Sequence, residues 1–203
     1  MPDTTTNDDT WGKNASTWDD DPAVVAYANA AFASLREHVV LRATDRVLDF
    51  GCGTGLLTER IAPSVSQLVS VDASPAMVDV LRRKALPNVV PLVATWTPES
   101  VAVDPETTAG FDLVVCSSVC AFLDDYPGAV AMLGGLLRPG GRFVQWDWAF
   151  DPQAEEPFGL TVEAIDAALR GAGLEVDFVG TGFDLPFGEQ RMAPLMGVGR
   201  KSG

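Results

Sequence analysis

Short apolar segments alternate along this chain with longer segments in which apolar residues recur every three or four positions. The first pattern predicts strands and the second predicts amphipathic helices. Strands are predicted at 47–50, 68–72, 88–93, 111–117, 142–148, 174–181 and 192–200. Helices are predicted at 22–41, 55–62, 74–85, 127–137 and 161–172. This alternation indicates βαβ units, and therefore an α/β, Rossmann-like fold whose mostly parallel sheet has helices on both faces.

The residues before the first predicted helix differ in composition from the rest. Residues 1–20 are polar and acidic, and Asp21-Pro22 then provides an N-cap followed by proline at the first helical position. We therefore expect a flexible acidic lead over residues 1–20 and a single domain over residues 21–203. The lead lacks the basic start and apolar stretch of a secretory signal.

Charge and composition narrow the possible partners. The 203-residue chain has a formal net charge of −14 at pH 7, and its basic residues form no cluster beyond Arg82-Arg83-Lys84. This argues against nucleic acid as a partner. No apolar run approaches the roughly 18–20 residues of a membrane span, so no membrane association is expected. Three cysteines without paired CxxC motifs and a single histidine argue against a disulfide framework and a metal site, and we expect a cytoplasmic protein.

Three glycines follow the first predicted strand, in the segment Gly51-Cys52-Gly53-Thr54-Gly55. Glycine is needed where the backbone turns with unusual dihedrals or approaches a ligand closely. In a doubly wound sheet the ligand site lies at the carboxyl ends of the strands, which is where this loop is predicted. A dinucleotide-binding G-x-G-x-x-G motif would need glycine at position 56 or 58, which hold Leu56 and Thr58. No P-loop motif is present.

Asp72 ends the second predicted strand, at about the 20-residue distance from the glycine loop that is typical of a ribose-binding acid. Such a carboxylate accepts hydrogen bonds from ribose hydroxyls, although an aspartate at a strand end is also a common turn or cap residue. Its register with the glycine loop favours the ribose role.

Four segments, in order, resemble motifs of small class I S-adenosylmethionine-dependent methyltransferases (methyltransferase-domain types 11, 12 and 25). They are DFGCGTG at 49–55, VDASPAM at 71–77, FDLVVC at 111–116 and LLRPGGRF at 136–143. The resemblance implies a seven-stranded sheet of order 3-2-1-4-5-7-6 whose last strand is antiparallel. It also implies S-adenosylmethionine as the cofactor and S-adenosylhomocysteine as the product.

The same resemblance implies which residues contact the cofactor. The methionine end would be held by Asp49, Gly51, Cys52, Gly53, Thr54 and Gly55. The ribose hydroxyls would be bound by Asp72, and the adenine side would be lined by Ala73 and Met77.

Three further regions are less closely defined. Where many relatives have an acidic residue near the adenine amine, this chain has Thr95 and Trp96, and the methyl-donor end would lie beside Cys116 and Ser117. Trp18, in the aromatic-rich lead, would cap the cofactor as in related small methyltransferases, or would instead pack the first helix against the sheet.

Asp147 is the candidate catalytic residue on the acceptor side, where it would orient or deprotonate the acceptor. The alternative is a structural turn aspartate. Five aromatic residues form either an acceptor wall or part of the core: Trp146, Trp148, Phe150, Phe158 and Phe183. No N-P-P-Y-like motif follows the fourth strand, which argues against methylation of adenine or of a glutamine amide.

The leading hypothesis is an enzyme, a monomer or homodimer, that methylates a small apolar or aromatic acceptor. One alternative is a protein methyltransferase, because an acidic surface attracts basic targets. Another is a catalytically silent binding module that keeps the fold. A nicotinamide-dependent reductase is disfavoured by the glycine spacing.

Overall fold

The computed structural model describes residues 9–101, 104–153, 158–187 and 190–203. The strands are β1 Arg46–Phe50, β2 Gln67–Asp72, β3 Val89–Val93, β4 Phe111–Ser117, β5 Leu137–Asp147, β6 Leu174–Thr181, β7 Leu185–Phe187, β8 Gln190–Met192 and β9 Leu195–Lys201. The helices are α1 Pro22–His38, α2 Leu56–Ile61, α3 Pro75–Arg83, α4 Pro98–Val101, α5 Tyr126–Gly135 and α6 Val162–Gly171.

Seven of these strands form one sheet in the order β3-β2-β1-β4-β5-β9-β6. The neighbouring pairs from β3 to β5 are parallel, whereas β9 runs antiparallel to both β5 and β6. The predicted order 3-2-1-4-5-7-6 is confirmed, since β9 is the seventh strand of this sheet in chain order. The carboxyl ends of β1, β2, β4 and β5 therefore lie along the same edge.

The end of the chain differs from the prediction of one strand over residues 192–200. A separate antiparallel hairpin, β7 and β8, precedes β9, which begins only at Leu195. Pro194 lies between β8 and β9, and proline has no N–H to donate to a ladder. The segment between β3 and β4, for which no helix was predicted, also contains the short helix α4.

Two apolar layers cover the two faces of the sheet. Adjacent residues of one strand face opposite layers: Val47 packs with α1 and α2, whereas Leu48 packs with α5 and α6. Both layers reach into β4 and β5. The continuous apolar run at 113–116 in β4 is typical of a parallel sheet covered on both sides. This arrangement confirms the predicted helices on both faces.

Side-chain caps fix where the helices begin. Asp21 accepts a hydrogen bond from the Ala23 N–H at 2.8 Å, and proline follows at the first helical position of α1. Ser74 caps α3 in the same way through the Met77 N–H at 3.2 Å. Asp21 directly follows the N-terminal segment, and Ser74 lies just after β2. The two caps therefore fix where α1 and α3 begin.

The N-terminal segment that the structure describes is folded against the sheet edge. Residues 9–20 contain two short 3-10 helices, Gly12–Asn14 and Trp18–Asp20, and the remainder of the predicted flexible lead, residues 1–8, lies outside the described residues. The division into a lead and a single domain stays a prediction. Within the described ranges, no helix is both long enough and apolar enough to cross a bilayer.

A buried hydrogen bond links α1 to β5 and predicts a stability effect. The indole N–H of Trp146 donates to the Ser34 hydroxyl at 2.8 Å, and both side chains are buried. Ser34→Ala leaves this indole N–H without its partner, so we expect the free energy of unfolding to fall by about 1–3 kcal/mol in urea denaturation. The exposed Ser16 provides the control, because Ser16→Ala should change stability by less than about 0.5 kcal/mol. Equal stability of the two variants would show that the hydrogen bond contributes nothing.

Candidate active site

The glycine loop after β1 adopts a conformation that only glycine accepts readily. Gly51, Gly53 and Gly55 have φ angles of 72°, 54° and 83°, all in the left-handed region. The N–H groups of Gly51 and Cys52 both donate to the Val71 carbonyl oxygen, at 2.7 and 3.0 Å. The loop is therefore fixed to the end of β2 by its own backbone.

The glycines of this loop differ in the space around them. A Cβ atom at Gly55 would lie 2.4 Å from Cδ1 of Leu81, and one at Gly51 would lie 2.2 Å from Cγ2 of Val119. A Cβ atom at Gly53 would meet nothing within 4 Å. Gly51 and Gly55 thus permit close packing, whereas Gly53 presents backbone to open space, as a cradle for a bound group requires.

Asp72 connects the end of β2 to the glycine loop. One carboxylate oxygen accepts from the Gly53 N–H and the other from the Ser74 N–H, each at 2.8 Å. Partial burial raises the pKa of Asp72 despite these two hydrogen bonds, and the charge of Asp9 adds to the rise. A carboxylate has about four acceptor sites, so each oxygen can still accept a ribose hydroxyl.

Asp49 lies beneath the loop with its carboxylate buried. It accepts a hydrogen bond from the Thr58 hydroxyl at 2.6 Å, and that hydroxyl also lies 2.9 Å from the Ser70 hydroxyl. The pKa of Asp49 is raised to about 7, chiefly by burial. The hydrogen bond from Thr58 lowers the pKa, whereas the negative charge of Asp72 adds to the rise. Asp49 is thus a carboxyl group that changes its charge close to neutral pH.

Two cysteines lie near the ends of β1 and β4. Burial raises the pKa of Cys52 well above its usual value, and the charges of Asp49 and Asp72 act in the same direction. Cys116 is fully buried in the core at the end of β4, while the next residue, Ser117, is half-buried and pairs with Trp146 of β5. Ser117 is therefore better placed than Cys116 to contact a ligand at this edge.

The predicted adenine side contains both open and buried residues. Ala73 and Thr95 are exposed, whereas Met77 is buried beneath them in α3. Trp96 is also buried: its ring lies 6.3 Å from that of Phe50, and its indole N–H donates to Asp104 at 3.2 Å. The adenine-binding roles of these four residues stay predictions, because packing in the core accounts for Trp96 as it stands.

The N-terminal segment contacts both cofactor-binding motifs. Asp9 accepts from the Ser74 hydroxyl at 2.8 Å, and Asp19 accepts from the Thr54 hydroxyl at 2.5 Å. Lys84 pairs with Asp19 at 2.8 Å. Sequence reasoning missed Asp9 and Asp19, because acidic residues in a polar lead carry no local signal of a long-range contact.

Trp18 is half-buried in the same segment, where its ring packs edge-on against Trp11 at 6.2 Å. Trp11 in turn packs edge-on against Phe122, from the loop after β4, at 5.1 Å. These contacts place the aromatic lead across the edge between the glycine loop and the end of β4. The predicted capping role of Trp18 is consistent with this position and remains a prediction.

Asp147 ends β5 with a fully buried side chain. Its two oxygens accept from the N–H groups of Cys120 and Ala121 at 2.9 and 3.2 Å. Burial raises the pKa of Asp147 to about 6, although these backbone N–H groups oppose the rise. The Asp147 carboxylate therefore holds the loop after β4, as the alternative of a structural turn aspartate predicts. Its role on the acceptor side stays a prediction.

The five aromatic residues predicted for the acceptor wall or the core differ in their exposure to solvent. Trp146 is fully buried in the core, so it does not line the surface. Trp148, Phe150 and Phe158 are exposed, and Phe158 contacts Phe122 with ring centroids 4.7 Å apart. Phe183 is half-buried. An aromatic rim defined by Trp11, Phe122, Trp148, Phe150 and Phe158 thus surrounds the ends of β4 and β5.

Known proteins resemble the chain over the part that carries the glycine loop. A family model described as a methyltransferase domain matches residues 48–143. An uncharacterized methyltransferase of Mycobacterium tuberculosis is 33% identical over 117 residues, which are 58% of this chain and 57% of that protein. A ubiquinone biosynthesis O-methyltransferase of Xanthomonas oryzae pv. oryzae is 35% identical over 98 residues, 48% of this chain and 40% of that protein. Residues 48–143 of the chain thus match a methyltransferase domain.

This methyltransferase domain also resembles solved structures over most of its length, although the chain spans only about half of the curated relatives. A chain in the complex of the Haloferax volcanii Trm112 methyltransferase activator with a methyltransferase has a TM-score of 0.78 and 17% identity, covering 98% of this chain and 100% of that one. An S-adenosylmethionine-dependent methyltransferase of Aquifex aeolicus has a TM-score of 0.70 and 16% identity, covering 96% and 99%. At these identities the likeness shows the fold.

S-adenosylmethionine is the cofactor of this methyltransferase family, and the residues present fit it. Gly53 offers open space over exposed backbone, and Asp72 retains acceptor sites on both oxygens for ribose hydroxyls. Asp49 lies beneath the same loop, where a carboxylate complements the positive charge of the methionine amino group. The predicted fold family and cofactor are thereby confirmed, whereas the roles of individual residues stay predictions.

The buried Asp49 carboxyl predicts a pH-dependent stability. Its native pKa of about 7 lies above the unfolded value of about 3.9, so between these pH values the native state holds a proton that the unfolded state has released. Native stability therefore falls as pH rises through this window, by up to about 1.4 kcal/mol per pH unit from this group. Asp49→Asn removes the titration and keeps an acceptor for Thr58. Urea denaturation of the two proteins from pH 4 to 7 should show wild type losing stability relative to the variant, and parallel curves would contradict this account.

Proposed function

We propose that this chain transfers a methyl group from S-adenosylmethionine to a small apolar or aromatic acceptor and releases S-adenosylhomocysteine. The observation that carries the proposal is the joining of two motifs at one sheet edge. The Gly53 N–H donates to Asp72 at 2.8 Å, so the loop after β1 and the acid after β2 form one cradle. The aromatic rim lies beside this cradle at the ends of β4 and β5.

The residues of the chain act mainly by binding and alignment. S-adenosylmethionine supplies an activated methyl group on a positively charged sulfur when it is bound. Asp72 would bind the ribose, and Asp49 with the Gly51–Gly55 backbone would hold the methionine end. Ser117 would lie beside the methyl donor. Thr54 would hold the N-terminal segment across the site through Asp19, and Trp18 in that segment would cap the cofactor. Alignment of the two reactants supplies much of the rate enhancement in such a reaction.

The surface around the cradle supports a small, apolar acceptor. Trp11, Phe122, Trp148, Phe150 and Phe158 are exposed large apolar residues, and such residues in a group commonly line a binding site. The Xanthomonas relative, an O-methyltransferase of ubiquinone biosynthesis, is named for work on a small molecule. Both points favour a small acceptor over a nucleic acid, as does the net charge of −14.

A protein acceptor is the second candidate. The acidic surface would attract basic protein segments, so the net charge by itself favours a protein acceptor. Transfer of a radiolabelled methyl group into extracted metabolites rather than into lysate protein would support the small acceptor. Label in protein alone would support the second candidate, and cofactor binding without transfer to either fraction would indicate a silent binding module.

The cofactor cradle predicts a specific loss of affinity. Asp72→Ala removes both acceptor oxygens, so the dissociation constant for S-adenosylhomocysteine measured by isothermal titration calorimetry should rise by about tenfold or more. Asp79→Ala is the matched control, because Asp79 is an exposed aspartate of α3 paired with Arg82. This control should bind as wild type does. No binding to wild type at high micromolar concentration would refute the proposed function.

A further inference from the structure

Tyr27 of α1 carries a hydroxyl group that the fold leaves unused. The side chain is 91% buried, since 9% of it remains exposed. Its hydroxyl has no hydrogen-bond partner among the residues that the structure describes. Buried polar groups in native proteins nearly always have partners, so an unpartnered hydroxyl in a site indicates a missing ligand group.

The surroundings of Tyr27 locate this hydroxyl on the acceptor side of the site. Its ring lies 5.0 Å from the Phe183 ring and 6.2 Å from the Trp148 ring. Burial raises the pKa of Tyr27 most, the Asp147 charge adds to the rise, and the nearby Ser118 and Ser117 hydroxyls lower it. Neither serine hydroxyl reaches the distance and angle of a standard hydrogen bond to the Tyr27 hydroxyl. The group therefore faces the ends of β4 and β5, where the methyl acceptor is expected.

The backbone at this point is also unusual. Ser118, the first residue after β4, has a φ angle of 57°, which non-glycine residues rarely adopt. Its N–H donates to the Trp146 carbonyl oxygen at 2.8 Å, which holds the turn in this conformation. The turn therefore fixes Ser117 and Ser118 beside the Tyr27 hydroxyl.

The chemistry of the cluster selects the acceptor group. Burial raises the pKa of Tyr27 well above its usual range, so the phenol stays neutral and is available as a hydrogen-bond donor. The nearby Asp147 carboxylate disfavours an anionic acceptor by repulsion. The aromatic rings of Phe183 and Trp148 favour a planar apolar body. A neutral hydroxyl on an aromatic ring satisfies all three conditions.

We propose that the Tyr27 hydroxyl donates a hydrogen bond to the oxygen of a hydroxylated aromatic acceptor and selects that acceptor for O-methylation. The inference rests on the proposed function and specifies its acceptor. In the transfer, the acceptor oxygen forms a bond to the methyl carbon while the carbon–sulfur bond breaks and its electron pair stays on sulfur. The hydroxyl proton leaves to solvent. Tyr27 contacts the acceptor and takes no proton itself.

The other tyrosine of the chain provides a matched control. The Tyr126 hydroxyl donates to Oε1 of Gln145 at 2.8 Å within the core, so its hydroxyl is used by the fold. Tyr126→Phe should therefore lower the melting temperature. Tyr27→Phe should leave the melting temperature unchanged or raise it, because it removes an unpartnered buried polar atom. A structural role for the Tyr27 hydroxyl would give the opposite result.

The binding experiment uses catechol and 1,2-dimethylbenzene, which has the same shape but no acceptor oxygen, as probes of the protein saturated with S-adenosylhomocysteine. Wild type and Tyr126→Phe should prefer catechol, and in Tyr27→Phe this preference should fall by about 2- to 10-fold, the usual effect of one neutral hydrogen bond. The affinity for S-adenosylhomocysteine should be the same in all three proteins.

The outcomes separate the two proposals. If S-adenosylhomocysteine does not bind to wild type, both the proposed function and the role of Tyr27 are wrong. If it binds but wild type shows no preference for catechol, or if Tyr27→Phe keeps the full preference, only the role of Tyr27 is overturned. A loss of S-adenosylhomocysteine affinity in Tyr27→Phe would also overturn it, since the hydroxyl would then serve the cofactor or the fold.

Discussion

The attachment of the glycine loop to the end of β2 is the constraint on which the rest of the site depends. Backbone N–H groups of Gly51 and Cys52 share the Val71 carbonyl oxygen, and the next glycine, Gly53, donates to Asp72. These bonds form only because the loop glycines have positive φ angles. They bring the first two strand ends together before any ligand binds, so the cradle is preorganised by the fold.

This junction also explains why acidic groups are concentrated in a poorly solvated region. Asp49 and Asp72 both lose hydration near the loop, and both have raised pKa values. Burial of a carboxylate without a cation is unfavourable, and only hydrogen bonds from Thr58 and from backbone N–H groups offset it. Such an arrangement is typical of sites that are completed by a ligand, and the proposed cofactor would supply ribose hydroxyls and a positive charge.

The acceptor side is built differently from the cofactor side. There Asp147 uses both carboxylate oxygens to hold the backbone after β4, and the strained Ser118 follows from the same tight turn. Exposed aromatic residues, including Phe122, Trp148 and Phe150, lie in the segments that follow β4 and β5. The polar atom left available there is the Tyr27 hydroxyl, which comes from a helix far earlier in the chain. Under the proposed role of Tyr27, selectivity for the acceptor would depend on packing between α1 and the ends of β4 and β5.

The sequence by itself determined most of the elements and the position of the glycine loop, whereas the order of the strands was implied by the resemblance to methyltransferases. Strand and helix periodicities, the glycines at 51, 53 and 55, and the cap at Asp21 are local signals, because each depends on neighbouring residues. The hairpin of β7 and β8 escaped prediction, since its short strands carry too few residues to show a period.

Only the tertiary structure decided which side chains meet. Asp9 and Asp19 hold the N-terminal segment to Ser74 and Thr54, across 65 and 35 residues of chain. Trp96 and Trp146 entered the core, and Asp147 became a support for a loop. The Tyr27 hydroxyl was left without a hydrogen-bond partner among the described residues. Burial and hydrogen bonding between distant residues fix these outcomes. No local pattern encodes them, because the energy of each depends on neighbours that the fold alone supplies.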